Sequence, residues 1–463
     1  MLLYQLNEMK KLIAFILTFS FVIHGYSQLR VSPNKRFLVK EDGSPFFWLG
    51  DTAWELFHRL SREETDKYLK DRADKKFTVI QAVVLAEFDG LRVPNFYGEI
   101  PLENDDPTKP REAYFQHVDY VINKAAELGL YIGLLPTWGD KIDKLTWGVG
   151  PEVFNTDNAK VYGKWIGTRY KDKKNIIWIL GGDRRPDTKN GVAIWRAMAS
   201  GIIEAVGGND KALMTFHPQP TSVEEAGSSH WFHNDEWLDV NMFQTGHCRE
   251  NNVYDRIQVA YNKTPIKPVL DGEPIYEDHP VCFNAKDLGT SNAYDVRRSA
   301  YLDVFAGAFG HTYGCHDIWQ FYAANRTPVN GPKNFWYVAL DLPGAVQMKY
   351  LRNLIESRPM LDRVPDQSLI TNSLGTNDRI QATRGKDYLF VYTTQGKPIT
   401  INMGKISGKE VAAYWYNPKN GEYREIGHYA NSGQQTFTPT SSGYGQDWVL
   451  VIDDASKNYP MPK

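Results

Sequence analysis

Two stretches of this chain run from apolar residues through glycine into an acid. Ile177-Trp178-Ile179-Leu180-Gly181-Gly182 leads to Asp183, and Pro268-Val269-Leu270-Asp271-Gly272 leads to Glu273. Hydrolysis of a glycosidic bond needs two carboxyl groups flanking that bond. One protonates the leaving oxygen and the other acts as nucleophile or base. Glycine beside each acid leaves room for a substrate. Each acid also has a plainer reading: Asp183 as a helix cap or a partner of Arg184 or Arg185, Glu273 as a strand-end ion pair. Asp187, Asp271, Glu277 and Asp278 are nearby competitors. Asp187 lies past Pro186, beyond the strand end. Asp271 stands two residues before Glu273 and reads as its supporting partner.

The elements that would position these acids alternate strand with helix. Apolar runs recur at Phe46–Gly50, Phe77–Leu85, Leu130–Pro136, Ile176–Gly181, Ala212–Phe216, Val240–Gln244, Pro268–Leu270 and Phe309–Gly314. Between most of them lie helical patterns. Ser61 with Glu64 forms a capping box opening a helix to about Lys76. Phe115, Val118, Ile122, Ala125 and Leu128 repeat at helical spacing, with Gly129 closing the helix. Thr156 reads as the cap of a helix carrying Val161, Trp165 and Tyr170. Val192–Val206, Ala293–Ala306 and Leu342–Ser357 supply later helices. Strongly apolar strands alternating with amphipathic helices mean a parallel sheet, and eight such units favour a closed (β/α)8 TIM barrel. After Arg358-Pro359 the texture changes to short strands at Leu369–Asn372, Arg379–Arg384, Tyr388–Thr393, Ile399–Met403, Val411–Tyr416 and Trp448–Ile452, with a hairpin turn at Asn417-Pro418-Lys419-Asn420-Gly421. This reads as a small all-β sandwich. The expected organisation is a leader at residues 1–27, a barrel at 28–360 and a sandwich at 361–463.

Barrel active sites lie at the C-terminal ends of the strands. The residues to inspect there are Asp51, Trp54 and His58 from the first strand, Glu87 and Asp89 from the second, and Trp138, Asp140 and Lys141 from the third. Asp183, Arg184 and Arg185 follow the fourth, His217 the fifth, Gln244 and His247 the sixth. Asp271 and Glu273 end the seventh, and Tyr313, His316, Asp317, Trp319 and Gln320 follow the eighth. Carboxylates, histidines, amides and indoles converge, with few cations. Strand counting puts Asp183 after the fourth strand and Glu273 after the seventh, where barrel glycosidases of the large retaining clan keep the acid/base and the nucleophile. We therefore take Asp183 as acid/base and Glu273 as nucleophile. Asp51, Trp54, Glu87, Trp138, Arg184, His217, Gln244, Tyr313 and Trp319 are taken as substrate-binding residues.

Other chemistries fit less well. The net charge of −2 argues against nucleic acid as a partner. There is no glycine-rich nucleotide turn. His217, His247, His316 and Asp51 lack any local metal-binding spacing, so no metal and no cofactor are expected. Ser228-Ser229-His230 lacks the elbow glycines of a serine hydrolase. Cys248, Cys282 and Cys315 read as buried thiols or as one bridge plus a free thiol. Lys10-Lys11, the apolar run Leu12–Ile23 and Gly25-Tyr26-Ser27 have the order of a secretory signal with cleavage before Gln28. That run is short of the ~20 residues a membrane span needs, so an exported monomer without a membrane span is expected.

These segments resemble a known group. Leu49-Gly50-Asp51-Thr52-Ala53-Trp54, Val84-Leu85-Ala86-Glu87-Phe88-Asp89-Gly90, Gly181-Gly182-Asp183, Trp231-Phe232-His233-Asn234-Asp235-Glu236-Trp237, Leu270-Asp271-Gly272-Glu273-Pro274, Gly310-His311-Thr312-Tyr313-Gly314 and Ile318-Trp319-Gln320 are similar, in chain order, to the barrels that include the apiosidases of glycoside hydrolase family 140. Members of that group carry a C-terminal β-sandwich labelled collagen-binding. The resemblance implies a retaining exo-enzyme that removes apiose from galacturonic acid in side chains of the plant pectin rhamnogalacturonan II. It places Asp183 as acid/base and Glu273 as nucleophile, and a double displacement by this pair predicts carboxyl groups ~5–5.5 Å apart. Gly182 stands where the wider clan has asparagine before its acid. Arg184, Arg185 and Lys141 are the candidate partners for a uronate on the leaving side. The competing readings are an exo-glycosidase for another pentofuranoside, such as an arabinofuranoside, and a barrel that binds carbohydrate without turning it over.

Overall fold

The computed structural model describes residues 28–372 and 374–462, and the expected leader lies outside them. After a small antiparallel meander at residues 30–46, eight parallel strands form the barrel. They are β1 (Trp48–Thr52), β2 (Val79–Leu85), β3 (Tyr131–Thr137), β4 (Ile176–Arg184), β5 (Met214–Pro218), β6 (Asn241–Gln244), β7 (Val269–Glu273) and β8 (Gly310–Tyr313). β8 pairs with β1, and pairing continues in order to β5. A parallel bridge between Thr215 and Val240 joins β5 to the start of β6, which pairs with β7. The backbone bond from Phe309 N–H to Val269 O, 3.1 Å, closes the circle between β7 and β8. β2 and β3 are buried along their whole length, as expected of strands covered on both faces.

The outer layer is α1 (Arg62–Asp74), α2 (Glu112–Glu127), α3 (Thr156–Tyr170), α4 (Gly191–Val206), α5 (Val253–Tyr261), α6 (Ala293–Ala306) and α7 (Pro343–Glu356). Ser61 and Glu64 make the expected capping box on α1. On α3 the cap is Asn155 rather than Thr156: its amide oxygen accepts from the N–H groups of Asp157 and Asn158, and Thr156 is the first helical residue. Both residue types cap well, and a one-residue shift is beyond what spacing resolves. Gly201 lets α4 lie against α3, since a Cβ there would come 2.2 Å from Lys160 O.

The C-terminal domain holds β9 (Ile380–Arg384), β10 (Tyr388–Thr393), β11 (Ile399–Asn402), β12 (Glu410–Tyr416), β13 (Tyr423–Ala430), β14 (Gln434–Phe437) and β15 (Trp448–Asp454). A sheet in the order β9-β10-β15-β12-β13, edged by Val364–Pro365, packs on the pair β11–β14. Two features differ from the sequence reading. Leu369–Asn372 is not a strand: a helical turn at Gln367–Leu369 precedes a single bridge from Ile370 to Ile401. β13 and β14 carry few buried side chains and so lack the apolar alternation that marks a strand. The Asn417–Gly421 turn does join β12 to β13.

Alternation along the large sheet gives it two apolar faces. Leu389, Val391, Trp415, Leu450 and Ile452 form the core of the sandwich. Tyr388, Phe390, Tyr392, Val449 and Val451 join the core of the barrel. Tyr392 stacks on Tyr301 of α6 at 5.0 Å between centroids. Two buried ion pairs complete the junction: Arg297 with Asp447 at 2.6 Å and Arg358 with Asp453 at 2.7 Å.

Candidate active site

β4 ends irregularly. Its pairing with β5 shifts between Gly181 and Arg184, and Gly181, Gly182 and Asp183 have φ of 92°, 129° and 48°. A Cβ on Gly182 would lie 2.7 Å from the Trp138 ring. The asparagine of the wider clan therefore has no space here, and Trp138 fills the position its side chain would take. The bend leaves Asp183 on the wall of a cavity of about 520 Å³ at the C-terminal end of the barrel.

β7 also breaks register, between Asp271 and Glu273, and Glu273 lines the same cavity. Asp271 is fully buried. One of its oxygens accepts the backbone N–H of Glu273 at 3.2 Å, and the other accepts from the Thr245 hydroxyl. It braces the strand end that carries Glu273, as its position two residues earlier suggests.

The two cavity acids have opposite electrostatics. The Asp183 backbone N–H donates to His217 Nδ1 at 3.4 Å. That assignment leaves the proton on Nε2, which faces Glu273 Oε2 at 3.0 Å. His247 Nε2 lies 3.5 Å from Glu273 Oε1. Burial works to raise the Glu273 carboxyl, but the two histidines that face its oxygens outweigh it and hold the group well below the usual range. For Asp183, burial comes first and the Glu273 charge second. Together they exceed the opposing pull of Arg184, His217 and Gln244 and push it up to about 6.

Several expected residues share this cavity. Trp54, Glu87, Trp138, Gln244 and Trp319 line it. Trp54 and Trp138 meet at 5.1 Å between centroids. Burial, then the charges of Asp140 and Asp183, push the Glu87 carboxyl up to about 8 against the pull of Arg184. His217 stands behind Glu273 rather than on the wall. Arg184 is likewise withdrawn: it is buried, donates to Asp183 Oδ2 at 3.2 Å and to Asp143 O at 3.0 Å, and lies under the Trp147 ring. Neither is on the cavity wall; each touches one of its acids.

Two residues expected at the substrate are elsewhere. Asp51 is fully buried and accepts from Tyr68 and from Arg72 of α1, each at 2.5 Å. The Tyr313 hydroxyl donates to Glu277 at 2.6 Å, and Glu277 in turn accepts the Gly344 N–H at the start of α7. Side chains on a barrel strand alternate between the interior and the helical layer. These two point to the helices and hold strand to helix.

The sequence reading missed Tyr276, Trp147 and Phe283 on the wall. Tyr276 stands beside Glu273 and receives a hydrogen bond from Trp54 Nε1 at 3.2 Å. It lies three residues past Glu273, so carrying the strand-end search further would have reached it. Trp147 and Phe283 sit on long loops and are among the exposed aromatics. Of the cysteines, Cys248 and Cys282 form a disulfide between the loops after β6 and β7, and Cys315 is a buried thiol. Among the described residues, no group of three or more histidine, cysteine or acidic side chains is placed to hold a metal ion, and no helix is long and apolar enough to cross a membrane.

Comparison with known proteins gives three findings. Residues 32–362 match the family model described as "Apiosidase-like, catalytic domain", and residues 364–453 match "Putative collagen-binding domain of a collagenase". A solved structure titled "Glycoside hydrolase" is 40% identical over 95% of this chain and 100% of its own, with a TM-score of 0.85. A glycoside hydrolase family 5 structure from Bacteroides vulgatus ATCC 8482 is also 40% identical, over 94% of this chain and 95% of its own, again with a TM-score of 0.85. A comparison with curated proteins returned no match.

Proposed function

Because this chain belongs to the apiosidase-like family of glycoside hydrolases, we propose that it is an exported, exo-acting, retaining glycosidase that releases apiose from galacturonic acid in side chains of rhamnogalacturonan II. In this reading Glu273 attacks the anomeric carbon as Asp183 gives its proton to the departing glycosidic oxygen. The glycosidic bond breaks and a covalent glycosyl ester forms. Asp183, now ionised, takes a proton from water as that water displaces Glu273. The carrying observation is that Asp183 and Glu273 line one cavity while His217 and His247 face the Glu273 oxygens, an arrangement that holds Glu273 down and leaves Asp183 raised to about 6. A nucleophile must start ionised and an acid must start protonated. Trp54, Trp138 and Trp319 would supply apolar faces to the sugars, and Glu87 and Gln244 polar contacts.

The Cys248–Cys282 disulfide supports export, since disulfides persist in oxidising compartments. The sandwich packs its aromatic face on the barrel, and we assign it to stabilising the catalytic domain.

Chromatographic analysis of products from rhamnogalacturonan II fragments, with wild type beside Glu273→Gln, tests the reading. Apiose is expected from wild type alone. Release of arabinose instead would move the specificity and keep the mechanism. No sugar from any pentofuranoside would leave a carbohydrate-binding barrel. Proton NMR of the first-formed anomer tests retention, and inversion would reject the nucleophilic role of Glu273.

A further inference from the structure

A galacturonate on the leaving side brings a carboxylate into the cavity, and the three cations that the sequence offers it are each already paired with a carboxylate. Lys141 is fully buried, donating to both Asp140 oxygens at 2.7 and 2.8 Å and to Ala86 O at 2.9 Å. Arg184 is held by Asp183 and Asp143 and covered by the Trp147 ring 4.8 Å away. Arg185 pairs with Asp187 at 3.0 Å and Glu225 at 2.9 Å and lies over Trp231, which is not on the cavity wall.

Among the described residues, no lysine or arginine lines the cavity, while Glu87, Asp183 and Glu273 do. Of the histidines on the wall, His247 faces Glu273. His279 donates Nδ1–H to Pro280 O at 2.7 Å, and burial beside His247 and His316 pushes it down to about 2, so it stays neutral. The outer wall is aromatic and amide: Trp147, Phe283, Gln219 and Asn330. Trp147 is 47% exposed and Phe283 65%.

We propose that the leaving-group side of this cavity selects a neutral sugar, so that a galacturonate is accepted with its carboxyl group esterified and discriminated against as the free anion. The inference rests on the glycosidase reading with a pectic leaving sugar. A carboxylate placed there would meet no lysine or arginine on the wall and would face the Glu273 anion. Two like charges ~10 Å apart at an effective dielectric of ~20 repel enough to cost roughly tenfold in kcat/KM. An ester methyl would meet indole and phenyl surface instead.

The test compares apiosyl galacturonate as free acid and as methyl ester at pH 6, beside an aryl apiofuranoside and an aryl arabinofuranoside. The ester is expected to be the better substrate by roughly tenfold or more in kcat/KM. Asn330→Lys and Gln219→Lys should each narrow the ester-to-acid ratio. Equal or faster cleavage of the free acid overturns the proposal. If the aryl glycosides and both disaccharides all resist cleavage, the functional reading fails. Tryptophan-fluorescence titration with methyl galacturonate as acid and as methyl ester then decides the charge preference, and tighter binding of the acid overturns it.

Discussion

In the proposed mechanism Asp183 must carry a proton when the glycosidic oxygen leaves, so its raised value of about 6 would set the upper edge of activity. The protonated form is present below that pH and is lost as pH rises through it. We expect kcat/KM to fall on the alkaline side with a midpoint near 6, read from a pH–rate profile, and Asp183→Ala to lose about 10²–10⁴ in rate on sugar leaving groups and less on aryl ones. The acid edge belongs to Glu273, which must be ionised. Its carboxyl is depressed by His217 and His247, so activity should persist well below pH 4. Replacing His217 with phenylalanine removes the proton that faces Glu273, and the acid edge should then move to higher pH; an unmoved edge would assign the depression to His247 alone. Asp183 and Glu273 were legible as cavity acids because strand counting singled them out among the acids that follow the apolar runs. Asp51 and Tyr313 misled for a definite reason: a strand has two faces, and its sequence does not say which one the last residue shows. Arg72 and Glu277, which reveal the answer, lie on other elements.

At the scale of elements, the site depends on how two strands stop. β4 and β7 both break register just before their acids. In β4 the break is written into Gly181-Gly182, whose positive φ values exclude most side chains. Gly182→Ala should fold yet lose activity, because the new methyl group must push Trp138 away or pull Asp183 back. Circular dichroism should be unchanged while kcat drops about tenfold or more, as a misplacement near 1 Å can cost about a hundredfold. Wild-type activity in this variant would remove the geometric argument for the glycine pair. The barrel strands were readable because burial on both faces makes them continuous apolar runs. β13 and β14 were not, since their exposed side chains carry no periodic signal and only backbone pairing reveals them.

Across the whole molecule, barrel and sandwich share one apolar layer and two buried ion pairs. The two domains should therefore unfold together in a single calorimetric transition, and two separated transitions would show the junction to be weak. Arg297→Ala leaves Asp447 buried with, among the described residues, only the Tyr392 hydroxyl, at 3.1 Å, as a side-chain partner. Losing one member of such a pair costs about 3–5 kcal/mol, which should appear as a lowered Tm for the entire chain. The change of texture after Arg358-Pro359 was plain in sequence. The docking of the sheet was not, because it requires Tyr388, Phe390 and Tyr392 to face the barrel rather than solvent, a choice made by tertiary packing.

The Cys248–Cys282 link has a meaning in time as well as in space. It latches the loop bearing His247 to the loop bearing Phe283, and both residues belong to the cavity wall. A newly made chain in a reducing compartment would have its barrel but not this latch. Closing a loop of this size is worth about 2–4 kcal/mol, so the unlatched form should be less stable and hold His247 less firmly against Glu273. The same polypeptide made under reducing and oxidising conditions should differ in kcat/KM, and Cys248→Ser with Cys282→Ser should erase the difference. Catalytic competence would then be acquired on arrival, with the oxidising surroundings as the last step of maturation.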